Sequence, residues 1–202
     1  MRRYGLFSVA LSLIGLGLGG ACGGPSGRVK DPSEANIVGS RRAGAEVYRP
    51  TVKAALDSLL GQYRGEVRAQ GKRTIAFIGV ENKTREELRD ILDAINQTVE
   101  TTLTESGIFT VVGQEFVEAA IREIGGRREQ LFLAKGREDF KSVLGKQGIV
   151  PDYLLFAKLT SMTTEAEAER EVFYQVTLDM LDANTGEKIA SKVSESIKGY
   201  TK

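Results

Sequence analysis

The chain has 202 residues, with 28 basic and 27 acidic side chains, one cysteine and no histidine. So balanced a charge gives no basis for binding nucleic acid or another polyanion. Without histidine the commonest general base, metal ligand and partner of a serine or cysteine nucleophile is missing, which sets hydrolase and zinc chemistry well back.

Arg2 and Arg3 precede sixteen apolar or small residues, Leu6 to Ala21, that run directly into Cys22. A basic start, an apolar stretch and small residues before a lone cysteine read as an export signal over residues 1–21, cut between Ala21 and Cys22, with the Cys22 thiol receiving lipid. A spanning helix fits less well, because the stretch falls short of ~20 predominantly apolar residues and contains Ser8, Ser12 and four glycines. Residues 22–48 are mostly small, polar and charged. They are expected to form a flexible tether averaging ~25 to 30 Å end to end, followed by a globular domain over residues 49–202.

Pro50 suits the first turn of a helix, and Val52, Leu56, Leu59, Leu60, Tyr63 and Val67 recur at helical spacing, which predicts a helix from about Pro50 to Ala69. Thr74 to Val80 is a short apolar run, the pattern of a strand buried on both faces. Thr84 stands three residues before Glu87, the spacing of a capping box, and the stripe Leu88, Ile91, Leu92, Ile95, Val99, Leu103 then predicts a helix closed by Gly107. Phe109 to Val112 reads as the second strand. Helical spacing returns from Phe116 to Ile124, and again through Phe140, Val143 and Leu144 up to Gly148. Tyr153 to Ser161, Val172 to Leu181 and Lys188 to Ile197 are strand-like, the last two joined by a hairpin signal ending in Thr185-Gly186-Glu187. Along the fourth strand Val172, Tyr174, Val176, Leu178 and Met180 alternate with Gln175, Thr177 and Asp179, predicting one dry face and one wetter face.

The turn Glu81-Asn82-Lys83-Thr84 follows a parallel strand, where open α/β sheets place ligand sites. Only Gly79 is near, and Glu81 would repel an anion, so the turn reads as a helix cap braced by Asn82. Asn82-Lys83-Thr84 and Asn96-Gln97-Thr98 match a glycosylation sequon that an exported bacterial lipoprotein would not use. Arg122, Arg127, Arg128, Lys135 and Arg137 form a basic stretch that reads as solvated loop. Glu165, Glu167, Glu169 and Glu171 interrupt an otherwise tight hairpin, pointing to an extended ribbon or a partner contact, with Glu165, Glu167, Glu169, Arg170 and Phe173 as contact candidates. Glu81 alone approaches the setting of a catalytic carboxylate. No catalytic residue, metal ligand or cofactor is assigned.

Several segments resemble, in order, the outer-membrane lipoprotein activators of bifunctional penicillin-binding proteins of the LpoB type. Asn82-Lys83-Thr84 is similar to that family's Asn-Arg-Thr, and Gly107-Ile108-Phe109-Thr110-Val111-Val112 to its Gly-Lys-Phe-Thr-Leu-Val. Pro151-Asp152-Tyr153-Leu154-Leu155-Phe156 is similar to its Ala-Asp-Tyr-Val-Leu-Tyr, and Asp182 to Ile189 to its Thr-Gly-Glu hairpin. The resemblance covers about Thr74 to Ile197. It implies a non-enzymatic, lipid-anchored regulator of a class A penicillin-binding protein, facing the periplasm from the outer membrane, with a fold akin to the amino-terminal domain of TolB. The chain departs from the family at Ala190, where an aromatic is frequent, and in having a shorter tether.

The expected fold is thus a three-layer α/β domain, β-α-β-α-α-β-β-β after an amino-terminal helix, with a mixed five-stranded sheet in the order 2-1-3-4-5 and helices on opposite faces. A monomer is expected, touching the membrane only through its lipid. The rival readings are a structural lipoprotein subunit of an envelope assembly or secretion complex, and an envelope enzyme using Glu81.

Overall fold

The computed structural model describes residues 45–165 and 169–201. Ala21, Cys22 and the rest of the expected export signal lie outside the described residues, as does the expected tether up to residue 44. The elements are α1 (Ala45–Gln70), β1 (Arg73–Asn82), α2 (Arg89–Ser106), β2 (Phe109–Val111), α3 (Gln114–Glu123), a 3-10 turn (Arg128–Phe132), α4 (Ala134–Gly145), β3 (Tyr153–Glu165), β4 (Glu169–Asp182) and β5 (Lys188–Thr201). They build one five-stranded sheet in the expected order, β2-β1-β3-β4-β5. β1 runs parallel to β2 and β3, and the β3–β4 and β4–β5 pairs are antiparallel.

α1 and α2 share one face of the sheet. Tyr48, Val52, Leu56 and Leu59 of α1 and Ile95, Val99 and Leu103 of α2 enclose Ile75 and Phe77 of β1, Leu155 and Leu159 of β3, and the whole apolar row of β4. α3, the 3-10 turn and α4 cover the other face, where Val117, Ile121, Leu131, Phe140 and Leu144 meet Ala76, Ile78 and Leu154. This second layer of helix stops at β3. The sheet is therefore sandwiched over β2, β1 and the start of β3, and backed on one side only over the rest of β3, β4 and β5.

α1 starts at Ala45 rather than Pro50, and Val47 and Tyr48, expected in the tether, are buried. Pro50, the sixth residue of this helix, stands past its first turn and forgoes one main-chain hydrogen bond to the carbonyl four residues back. Tyr48 sets its ring edge-on to Tyr174 of β4 at 5.3 Å, which ties this added turn into the core.

α2 starts later than expected. Thr84 does not cap it; the residue before the first helical turn is Leu88, with no side-chain cap. Asn82 Oδ1 accepts hydrogen bonds from the Thr84 amide at 2.9 Å and the Thr84 hydroxyl at 2.7 Å, while Asn82 Nδ2 donates to the Glu86 carbonyl at 2.8 Å. The Thr84 hydroxyl in turn accepts from the Glu86 amide. An Asx turn has claimed the hydroxyl that a capping box would have used. Asn82 braces the turn as expected, but the cap is not formed.

In β1 the register slips between Phe77 and Gly79, where Gly79 takes φ +108°. A one-residue slip exchanges the faces of all that follows. Ile78 lies in the core on the α3 and α4 side and Val80 in the core on the α1 and α2 side, so Glu81 is turned toward the α3 and α4 side. The Val80 amide is met by Asn96 Oδ1 of α2 at 3.2 Å, a bracing role for a residue singled out only through an idle sequon.

The basic stretch is not all solvated. Arg137 is 6% exposed; its Nη1 donates to the carbonyls of Leu131 at 3.2 Å and Phe132 at 3.0 Å, and its Nη2 to that of Thr185 at 3.0 Å. It clamps the 3-10 turn and α4 to the β4–β5 hairpin. Gly186 at φ +77° leaves room for it, since a Cβ there would overlap the guanidinium. Arg128 is half-buried, lying across Gly79 and donating to the Val80 carbonyl at 3.3 Å. Lys135 behaves as expected, exposed and paired with Asp139 at 3.0 Å.

Candidate docking face

The ribbon anticipated between the third and fourth strands is present. β3 and β4 stay paired past Ser161 and Val172, out to Glu165 opposite Arg170. Of the contact candidates, Glu165, Glu169 and Arg170 are placed by their backbone at the end of this ribbon, and Glu167 lies outside the described residues. Phe173 is half-buried on the side of the sheet that carries no helix.

That side is built in rows, because residues directly opposite in antiparallel strands project the same way. The outermost row is Met162, Phe173 and Ile197. Next come Thr160, Gln175 and Glu195, linked by a hydrogen bond from the Thr160 hydroxyl to Gln175 Oε1 at 3.2 Å and another from Gln175 Nε2 to Glu195 Oε1 at 2.9 Å. Lys158, Thr177 and Val193 form the third row. Phe156, Asp179 and Ser191 form the fourth, in which Asp179 accepts from the Ser191 hydroxyl at 2.6 Å and pairs with Lys188 at 2.9 Å. From Phe156 to Met162 the face runs ~20 Å at the usual rise of a strand.

Both ends of this face are apolar. At the far end Met162 and Ile197 are 64% and 60% exposed; at the near end Phe132 stacks on Phe156, centroids 4.6 Å apart and planes 26° apart, with Leu133 exposed beside it. Between them lies a hydrogen-bonded, charged centre. The cause of the exposure is the inverted facing of β5. Its large apolar residues Ile189, Val193 and Ile197 are exposed, whereas Lys192, Ser194, Ser196 and Lys198 stand opposite the buried row of β4 on the α1 side. A strand in a domain with no outside contacts turns its apolar face inward; β5 does the reverse.

Sequence reasoning missed Phe132, Phe156, Met162, Val193 and Ile197. The alternation of β5 was the available signal, but alternation alone does not say which face a helix will cover.

The turn at Glu81-Asn82-Lys83-Thr84 does not converge on a reactive group. Glu81 is ion-paired with Lys83, whose ammonium pKa is raised by its hydrogen bond to Glu81 and by the attraction of the same carboxylate. The turn is instead a latch: Glu86 Oε1 accepts a hydrogen bond from the Tyr174 hydroxyl at 3.1 Å, tying the loop before α2 to β4. Asp152, in the Pro-Asp-Tyr segment, accepts from the Thr74 amide at 2.7 Å and pairs with Arg73 at 3.5 Å, locking β3 to the start of β1. Among the described residues no group of three or more His, Cys, Asp or Glu side chains is placed to hold a metal ion, and no helix is long and apolar enough to cross a membrane.

No curated protein matches the chain. Among solved structures, the C-terminal domain of LpoB from Salmonella enterica is similar at a TM-score of 0.48 and 17% identity, over 72% of this chain and 97% of that one. The corresponding domain from Escherichia coli gives 0.47 and 19%, over the same shares. Lipoprotein GNA1162 from Neisseria meningitidis gives 0.45 and 15%, over 63% and 83%. The family model described as peptidoglycan-synthase activator LpoB matches residues 48–194, which runs from the first buried turn of α1 into β5. The chain belongs to the LpoB family of peptidoglycan-synthase activators.

Proposed function

We propose that this protein is an envelope lipoprotein that binds a bifunctional, class A penicillin-binding protein through the uncovered face of β3, β4 and β5 and raises its synthetic output. The reading rests on family membership together with one structural observation, the outward facing of Val193 and Ile197 beside Met162 and Phe173. Aromatic residues and Met are enriched where protein partners meet, and a few such anchors carry most of the binding energy.

In this proposal residues 1–21 are removed, Cys22 carries lipid in the outer membrane, and the tether ends where α1 begins at Ala45. A coil of that length averages about 25 Å, which keeps the domain on the periplasmic side near its membrane. The protein acts as a regulator and not as an enzyme. It shifts the synthase by binding the active arrangement better than the resting one; a tenfold activation asks for about 1.4 kcal/mol of differential binding. No cofactor, metal or nucleic acid enters this mechanism, and one domain per synthase suffices.

The test is affinity capture with the full chain from detergent-solubilised envelopes, followed by glycan polymerisation by the captured synthase. Recovery of a class A penicillin-binding protein and faster polymerisation support the reading. Recovery of secretion components alone would favour a structural subunit of an envelope assembly instead, and an activity lost on Glu81→Gln with the fold intact would favour an enzyme.

A further inference from the structure

The sequence holds three methionines, Met1, Met162 and Met180, of which the last two fall among the described residues. These two lie on opposite faces of the β3–β4 pair. Met180 belongs to the buried row of β4 and is fully enclosed in the core on the α1 and α2 side. Met162 stands on the uncovered side, 64% exposed, directly opposite Phe173 and in one row with Ile197. One thioether is open to solvent and the other is shut away from it.

A thioether is a neutral nucleophile that needs no base to activate it, so access decides which methionine reacts. With hydrogen peroxide as oxidant, the sulfur lone pair attacks one peroxide oxygen; the S–O bond forms as the O–O bond breaks, and the second oxygen takes up the proton and leaves as water. Sulfur loses two electrons and the peroxide gains them. The product is methionine sulfoxide, a polar and chiral group in place of a flexible apolar one.

The position of Met162 gives that change a consequence. Its row is apolar, and neither Phe173 nor Ile197 has a polar side-chain atom to meet a sulfoxide oxygen. In the next row the Thr160 hydroxyl is given to Gln175, and Gln175 in turn donates to Glu195. A sulfoxide pressed between this row and a partner loses its water, and a polar group buried without a hydrogen bond opposes binding.

We infer that Met162 is an oxidation-sensitive anchor of the docking face, whose conversion to the sulfoxide by a hydroperoxide loosens the partner protein, while the buried Met180 is spared. The loosening rests on the docking reading above; the selective oxidation does not. Met162 belongs to neither core, so the change acts on the surface and leaves the fold intact. A methionine sulfoxide reductase reverses it with two thiol electrons, the oxygen leaving as water.

The test treats the full chain in detergent micelles with hydrogen peroxide and follows oxygen addition to each methionine by peptide mass spectrometry. Met162 is expected to oxidise at least about tenfold faster than Met180. The oxidised chain is then titrated with the class A penicillin-binding protein recovered by affinity capture, and its binding is expected to weaken about threefold to tenfold. Treatment with the reductase and a dithiol should restore it. Met162→Leu, whatever its own affinity, should bind equally before and after peroxide. Equal oxidation of the two methionines would overturn the selectivity, and a Met162→Leu chain that still loses binding would place the effect elsewhere. Phe173→Ala separates the remaining failures. If it weakens binding while oxidation of Met162 does not, the docking face stands and the inference is overturned; if neither changes binding, the face is not the dock and the inference falls with it.

Discussion

The two halves of the sheet obey different rules. Over β2, β1 and the start of β3 both faces carry helices, and Ala76, Phe77, Ile78, Leu154 and Leu155 are all at most 1% exposed. Over β4 and β5 only the α1 side is covered, and the strands lengthen to fourteen residues, past anything the helices can shield. The first half is held by burial and tolerates little change. The second is held by one buried row, a ladder of main-chain bonds and polar side-chain links, and leaves a broad surface free for other work. Holding the fold together and offering an open surface thus fall to different parts of the sheet.

The comparison is broken most sharply by removing bulk from the sandwiched half. Phe140 is fully buried between α4 and the sheet, so Phe140→Ala should cost about 3–5 kcal/mol in chemical denaturation. If it costs less than about 1 kcal/mol, the second layer of helix is not integral to the domain. Arg137→Ala comes next. It leaves the carbonyls of Leu131, Phe132 and Thr185 without a donor, a loss of about 3 kcal/mol, and should free the β4–β5 hairpin first, seen as faster exchange of the Gly186 amide.

Smaller effects sharpen the contrast. Asn82→Ala removes the bonds that shape the turn before α2 and should cost about 1–2 kcal/mol, with the Tyr174 to Glu86 latch loosened. Phe173→Ala, on the open face, should change stability by no more than about 1 kcal/mol yet weaken binding to the synthase severalfold in a pull-down titration. Equal loss of stability from Phe173→Ala and Phe140→Ala would erase the distinction between the halves.

The smallest expected effect is on pH dependence. The amide of Thr185, followed by that of Asn184, holds the Asp182 carboxyl below its ordinary value of 3.8, against some opposing desolvation. A carboxyl depressed in the folded state contributes stability that is present above its unfolded pKa and is lost as pH falls through its folded one. The hairpin should therefore hold at neutral pH and weaken below about pH 4. Asp182→Asn should flatten that acid limb when stability is followed from pH 6 down to pH 2.

Much of the architecture was legible because it is written in local spacing. The stripe of α2 from Leu88 to Leu103, the strand pattern of β4 and the Thr185-Gly186-Glu187 hairpin depend on residues a few positions apart. What was not legible depends on competition or distance. Thr84 was equally placed to cap α2 or to enter the Asx turn, and Asn82 two residues away decided it. The slip at Gly79 has no signal beyond the glycine itself. Arg137 was read as solvated, although its spacing of three and seven residues from Phe140 and Leu144 places it on the buried stripe of α4. A positive charge hid that, and only the carbonyls brought to it from the 3-10 turn and the hairpin make its burial tolerable.

By itself the sequence determined the number and order of the α-helices and strands, though not the 3-10 turn at Arg128–Phe132, because the period of apolar residues encodes helix or strand directly. The even spacing of Val193 and Ile197 also puts them on one face of β5. Only the tertiary structure decided that the face of β5 carrying Val193 and Ile197 is the one left open. A strand's facing is dictated by its register with β4, whose buried row must meet α1, and the same pairing turns Val193 and Ile197 outward beside Phe173.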